Sequence, residues 1–213
     1  KRLEKKIVRE LSCKYFFVPL QVHCDSQISS HSDYDDIRDF IKEVMVSFAE
    51  NAPQSVSLIF KHHPMDLGFR DYSKLIRRYA GLLGIGDRVI YGHELHLPTM
   101  LKNSLGTVTI NSTVGISSLI HGRPTKVLGR ANYDIPGITS SLPLDQFWQK
   151  PCPINRQFFL AYRQVLKQKT QINGSFYKDI DWTCDEILSW LDEKNVQFED
   201  RGVLTALAEP NVV

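Results

Sequence analysis

A carboxylate, a run of histidines and a hydroxyl-rich turn stand at regular places in this sequence, each directly after a β-rich run. Asp25 follows the run at 15–22, and Lys61, His62, His63, Pro64 and Asp66 follow the run at 56–60. His93, Glu94 and His96 follow the run at 88–91, and Asn111, Ser112 and Thr113 follow the run at 107–110. Asp25 reads as part of a polar loop with no helix of its own to explain it, and a carboxylate so placed can act as base or nucleophile. The 111–113 turn leads into a short apolar helix at 114–121. Backbone N–H groups at such a helix start favour an anion. Ser112 or Thr113 can cap that helix and donate a hydroxyl, and Gly115 leaves room for a ligand at its first turn. An ordinary cap with no ligand is the alternative for one such turn alone. The Lys61–Pro64 cluster after a second strand favours the ligand. Five of the seven histidines fall in this single layer, a concentration that a sheet does not need for stability.

Several chemistries fit less well. His62 and His63 are adjacent and point apart, and no H-x-x-x-H helix is present, so no metal ion and no other cofactor is expected. Asp33-Tyr34-Asp35 has a D-x-D form, but it opens a helix, where acidic residues are favoured by the dipole alone. A formal net charge of +2 over 213 residues, with no basic run interleaved with aromatics, argues against a nucleic-acid partner. Cys13, Cys24, Cys152 and Cys184 lack C-x-x-C spacing and suit a reducing cytoplasm rather than a disulfide framework. No apolar segment approaches the roughly 20 residues of a membrane span.

The elements that must position these residues alternate regularly. Strands are expected at 15–22, 56–60, 88–91, 107–110 and 125–128, mostly as the continuous apolar runs of strands covered on both faces. Between the first two, Ile37, Phe40, Ile41, Val44, Met45 and Phe48 give a helical stripe, with Asp33 as the expected N-cap. Further helices are expected at 72–83, 98–103, 155–169 and 183–193. Strands separated by helices make βαβ units, hence an α/β fold with a doubly wound, Rossmann-like parallel sheet. The chain is expected to divide into an N-terminal helix or linker (1–14), a Rossmann-like domain (15–150), C-terminal helices (151–200) and a tail (201–213). Its opening Lys-Arg-Leu-Glu-Lys-Lys reads as the middle of a solvated helix, so the chain is expected to be part of a longer protein.

The segments Phe17-Val-Pro-Leu-Gln-Val-His-Cys-Asp-Ser-Gln-Ile28, Phe60-Lys-His-His-Pro-Met-Asp66, His93-Glu-Leu-His-Leu-Pro98, Asn111-Ser-Thr-Val-Gly115, His121-Gly and Lys126-Val-Leu-Gly129 resemble, in order, the capsule polysaccharide biosynthesis and export family of Gram-negative bacteria, KpsS/LipB type. The resemblance implies the C-terminal half of a GT-B-like, two-lobed retaining β-Kdo glycosyltransferase. Such an enzyme takes Kdo from CMP-Kdo to a phosphatidylglycerol-type lipid, beside capsule biosynthesis and export proteins. It is cytoplasmic and peripheral to the inner membrane. By motif, Asp25 matches the nucleophile of a Gln-Val-x-x-Asp segment that begins at Gln21. His63-Pro64 matches the pair that contacts the nucleotide, and Ser112 through Gly115 match the phosphate-holding turn. His23-Cys24 departs from the acidic pair of KpsC-type relatives. Lys61 is the expected cation for the phosphate or the sugar carboxylate, and His96 joins the donor-binding set. A non-catalytic export or docking subunit is the alternative, and a nucleotide-sugar epimerase that prefers UDP to CMP is a third reading.

Overall fold

The computed structural model describes residues 1–193; the tail expected at 201–213 lies outside the described residues. In chain order the elements are α1 (Arg2–Leu11), β1 (Tyr15–Pro19), α2 (Ser26–His31), α3 (Ile37–Asn51), β2 (Ser57–Lys61), α4 (Ser73–Leu82), β3 (Val89–Gly92), α5 (Leu97–Asn103), β4 (Gly106–Thr109), α6 (Val114–Ile120), β5 (Thr125–Val127), α7 (Leu144–Phe147), α8 (Arg156–Thr170) and α9 (Ile180–Glu193). The strands form one sheet, every pairing parallel, in the order β3-β2-β1-β4-β5. The expected doubly wound parallel sheet is the one observed.

The strand sequences explain why both faces are covered. Side chains alternate across a strand, and here both alternating sets are apolar. Phe16, Val18, Leu58, Phe60 and Val108 face a core built from the α3 stripe (Phe40, Ile41, Val44, Met45 and Phe48), Ile76 and Ala80 of α4, and Phe147 and Trp148. Tyr15, Phe17 and Ile59 face the other way, onto Ile7, Leu95, Met100 and Leu101. The opening helix, read as solvated, therefore buries Ile7 against the sheet.

Other differences from expectation have local causes. β1 ends at Pro19, which has no N–H to offer β4 and so stops the ladder on that side. Residues 20–22 then leave the sheet, and a short helix, α2, follows that the sequence did not announce. α3 is capped by Asp36, whose side chain accepts from the Arg38 N–H, and not by Asp33. Asp33 instead pairs with Arg130 at 2.9 Å.

The described residues form two compact units, Lys1–Leu160 and a second that begins at Ala161. The first holds the whole sheet. Within the second, the Thr183 hydroxyl donates to the Asp179 carbonyl and accepts from the Ser175 N–H, which ties the start of α9 to the turn before it.

One buried polar link closes the first unit. The Trp148 indole N–H donates to Ser47 Oγ at 2.8 Å, and that hydroxyl donates to Asp145 at 2.5 Å. Ser47→Ala leaves the buried indole N–H without its acceptor. Such a loss costs about 1–3 kcal/mol, so the variant should unfold at lower denaturant concentration with an unchanged slope in urea titrations.

Candidate functional site

β1 and β4 are neighbours although they are not consecutive, so their connections leave in opposite directions and open a crevice beyond their carboxyl ends. An open cleft of about 620 Å³ lies there, a size usual for small-molecule sites. Its walls are four loops: Gln21, Asp25, Gln27 and His31 after β1, His63 after β2, Asn111 to Thr113 after β4, and Arg130 to Tyr133 after β5.

Gln21 holds the crevice together. Its buried amide donates to Asp25 Oδ2 at 3.0 Å and to Asn111 Oδ1 at 2.9 Å, and its oxygen accepts from the Asn111 N–H at 3.2 Å. Asn111 then donates to the carbonyls of Gln27 and His31, the latter at the carboxyl end of α2. The β1 and β4 ends are thus linked by side-chain amides where no ladder bonds remain. Asp25 also accepts from the Gln27 N–H at 2.9 Å as N-cap of α2. It does have a helix of its own, contrary to expectation, and its second oxygen is left for Gln21.

His63 caps the 3₁₀ turn Pro64–Asp66, its Nδ1 accepting from the Met65 N–H at 3.2 Å. A neutral imidazole that accepts through Nδ1 carries its hydrogen on Nε2, so His63 presents a donor. Pro64 does not line the cleft; it begins the turn that fixes His63.

The β4–α6 turn differs from expectation. The Val114 N–H is held by Ser112 Oγ at 3.2 Å and the Gly115 N–H by the Ser112 carbonyl at 2.9 Å, so neither is free. The space over Gly115 is filled by Tyr133, not left for a ligand: a Cβ there would lie 2.2 Å from the Tyr133 hydroxyl. That hydroxyl donates to the Ser112 carbonyl. Ser112 and Thr113 themselves face the cleft.

Two expected residues stand elsewhere. Lys61 is half-buried, its ammonium donates to the His62 carbonyl at 3.2 Å, and burial lowers its pKa. His96 lies at the start of α5, its backbone N–H on Glu4 and its ring on Thr99. Neither lines the cleft. The cation that does is Arg130, which donates to Asp33 and to the Ser32 carbonyl. It follows β5, whose carboxyl end carries no histidine, carboxylate or hydroxyl cluster in the sequence to mark it. Gly129 is the other trace: a Cβ there would meet the His31 carbonyl at 2.9 Å, so glycine lets this loop close on α2.

The remaining histidines divide. His62 is buried, its Nδ1 2.5 Å from the Tyr91 hydroxyl, its ring 4.4 Å from that of His93, and burial lowers its pKa. His23 Nδ1 lies 2.5 Å from Asp66, which is fully buried. Among the described residues no group of three or more His, Cys, Asp or Glu is placed to hold a metal ion.

A family model described as capsule polysaccharide biosynthesis protein matches residues 1–177. The capsule polysaccharide modification protein LipB of Neisseria meningitidis is 50% identical over 171 residues, covering 78% of this chain and 40% of that protein. The capsule polysaccharide export protein KpsS of Escherichia coli is 46% identical over 172 residues, covering 81% of this chain and 44% of that protein. The chain therefore spans less than half the length of these relatives. Among solved structures, Anabaena HepE in complex with UDP and glucose has a TM-score of 0.50 at 14% identity, covering 90% of this chain and 52% of that one. Thermosulfurimonas dismutans KpsC, a β-Kdo 2,7 transferase, has a TM-score of 0.45 at 18% identity, covering 76% and 60%. The likeness to HepE is one of fold.

Gly115→Ala tests the packing of the cleft wall. The added methyl drives Tyr133 from its place, and overpacking of this kind costs about 1–3 kcal/mol. The variant should melt at a lower temperature.

Proposed function

The chain belongs to the capsule polysaccharide biosynthesis family, and from that premise we propose that it is the donor-binding lobe of a retaining β-Kdo transferase. In this reading the whole protein moves Kdo from CMP-Kdo to a phosphatidylglycerol-type lipid during capsule lipid-anchor synthesis. One observation carries it: Asp25, held by Gln21 across the switch point, shares a single cleft with the donor groups His63, Ser112 and Thr113 and the cation Arg130.

Retention needs two displacements, hence an enzymic carboxylate that takes the sugar before the acceptor does. Asp25 attacks the anomeric carbon, and CMP departs with the bonding electrons. A monophosphate leaving group is met by the His63 Nε2–H and the Ser112 and Thr113 hydroxyls, without a divalent ion. Arg130, rather than Lys61, is the cation for the sugar's carboxylate. Because the cap occupies one oxygen of Asp25 and Gln21 the other, the carboxylate has a fixed orientation before substrate arrives.

The lipid acceptor and the export partners are assigned to the rest of the protein, working at the cytoplasmic face of the inner membrane. No described helix is long and apolar enough to cross a membrane. A non-catalytic export subunit is the rival reading, and it needs no joint placement of Asp25, His63 and Arg130 around one cleft.

Two variants test the site. Asparagine caps a helix as well as aspartate but turns a donor toward the Gln21 amide, so Asp25→Asn in the full-length protein should fold with a somewhat lower melting temperature and still bind CMP. It should lose nearly all transfer to the lipid, several kcal/mol of barrier. Wild type mixed with donor alone should gain a Kdo-sized mass on the peptide that contains Asp25. A folded Asp25→Asn enzyme with near-normal turnover overturns the assignment. His63→Ala should weaken CMP binding by about 1–3 kcal/mol, read by calorimetry with UDP as the control nucleotide.

A further inference from the structure

The transfer proposed above leaves one proton unplaced. The acceptor hydroxyl must lose it when its oxygen displaces the sugar from Asp25, and His63 cannot take it because its Nε2 already carries hydrogen. His23 answers the requirement. It precedes Asp25 by two residues on the same loop, and its backbone N–H donates to both oxygens of Asp66, at 3.3 and 3.1 Å. Its ring Nδ1 lies 2.5 Å from Asp66 Oδ1.

Asp66 is fully buried in the turn that carries His63, whereas the His23 side chain remains 30% exposed. The carboxylate already accepts the His23 backbone N–H and can only accept again, so the ring hydrogen sits on Nδ1. The Nε2 lone pair is then left for another partner, on a side chain that stays partly exposed. A histidine whose tautomer and orientation are set by a buried carboxylate is the arrangement of a general base. His23 does not itself line the cleft, but the pair ties the loop of Asp25 to the turn of His63, two segments that do.

We infer that His23, oriented by Asp66, is the general base for the acceptor hydroxyl; this rests on the covalent reading of Asp25. In the step, the acceptor O–H bond breaks and its proton passes to His23 Nε2. The acceptor oxygen bonds to the anomeric carbon, and the bond between that carbon and Asp25 breaks, its electrons returning to the carboxylate. His23 is the catalytic residue and Asp66 a positioning residue.

Formation of the sugar–Asp25 adduct requires no base; its discharge does. Full-length wild type, His23→Gln and Asp66→Asn are therefore mixed with CMP-Kdo, then with the lipid acceptor, and followed by intact-protein mass spectrometry. His23→Gln should form the adduct at the wild-type rate but discharge it about 10²–10⁴-fold more slowly, the usual worth of a positioned base. Asp66→Asn should also accumulate adduct, because an amide donates to Nδ1 and places the ring hydrogen on Nε2, the wrong tautomer for a base. If the pair only staples two loops, both variants melt earlier but discharge the adduct at near wild-type rates, and that result overturns the inference. Should His23→Gln fail to fold, Asp66→Asn decides by the same readout. Loss of adduct formation in a folded His23→Gln that still binds CMP also overturns it. Absence of any adduct on wild type removes the covalent reading, and this inference with it.

Discussion

A parallel sheet buried on both faces has no place for polar chemistry except beyond the ends of its strands. That constraint governs this molecule. Phe16, Val18, Leu58 and Phe60 on one face, with Tyr15, Phe17 and Ile59 on the other, leave the strands apolar on both sides. Every group that can meet a ligand is therefore pushed into loops. The strand order then selects among the loops: only between β1 and β4 do the connections diverge and leave a crevice. Once the crevice exists, its floor holds backbone ends with no ladder partners. Gln21 and Asn111, long and short amides with both donors and acceptors, fill that role. Site and fold meet in those two side chains.

Legibility from the sequence followed the reach of each signal. The strands and α3 were readable because their periodicity is local and long enough to be unambiguous. The Asp36 cap was not: Asp33, Asp35 and Asp36 are equivalent as sequence, and the choice is made by Arg130, distant in the chain, which draws Asp33 away. α2 was missed because six residues rich in serine carry no apolar stripe; its existence rests on the Asp25 cap and on Asn111 bonding the His31 carbonyl. Gly115 was read correctly as a close approach but with the wrong visitor. A sequence shows that something must come near a glycine; it does not show that the visitor is Tyr133, eighteen residues on.

The histidine layer shows how far a positional argument extends. Strand ends did collect five histidines, yet they do not gather around one site. His62 is buried against Tyr91 and His93, His96 belongs to the α5 start, and among these five only His63 lines the cleft. Burial acts on charge as well as on place at one of them, since desolvation disfavours the protonated form of His62. Lys61 follows the same rule: a half-buried ammonium spent on a carbonyl is a poor partner for an incoming carboxylate. An arginine held by Asp33 and by backbone carbonyls keeps a planar fork of donors in position.

Asp25 concentrates the argument, because its structural and proposed chemical roles use different atoms. Oδ1 caps α2 through the Gln27 N–H, and Oδ2 takes the Gln21 amide. Capping fixes the carboxylate plane relative to the helix, and Gln21 fixes the rotation about it relative to β4. Neither contact is an ion pair. Hydrogen bonds from neutral amides orient a carboxylate with less loss of nucleophilicity than an arginine or lysine would impose, since a paired cation stabilises the anion far more strongly. The arginine of the cleft, Arg130, is instead committed to Asp33. An acidic sugar entering the cleft offers Arg130 a second carboxylate while leaving Asp25 with its two neutral donors. On the proposed reading, that separation lets one cleft hold a negatively charged sugar and still keep a negatively charged nucleophile reactive.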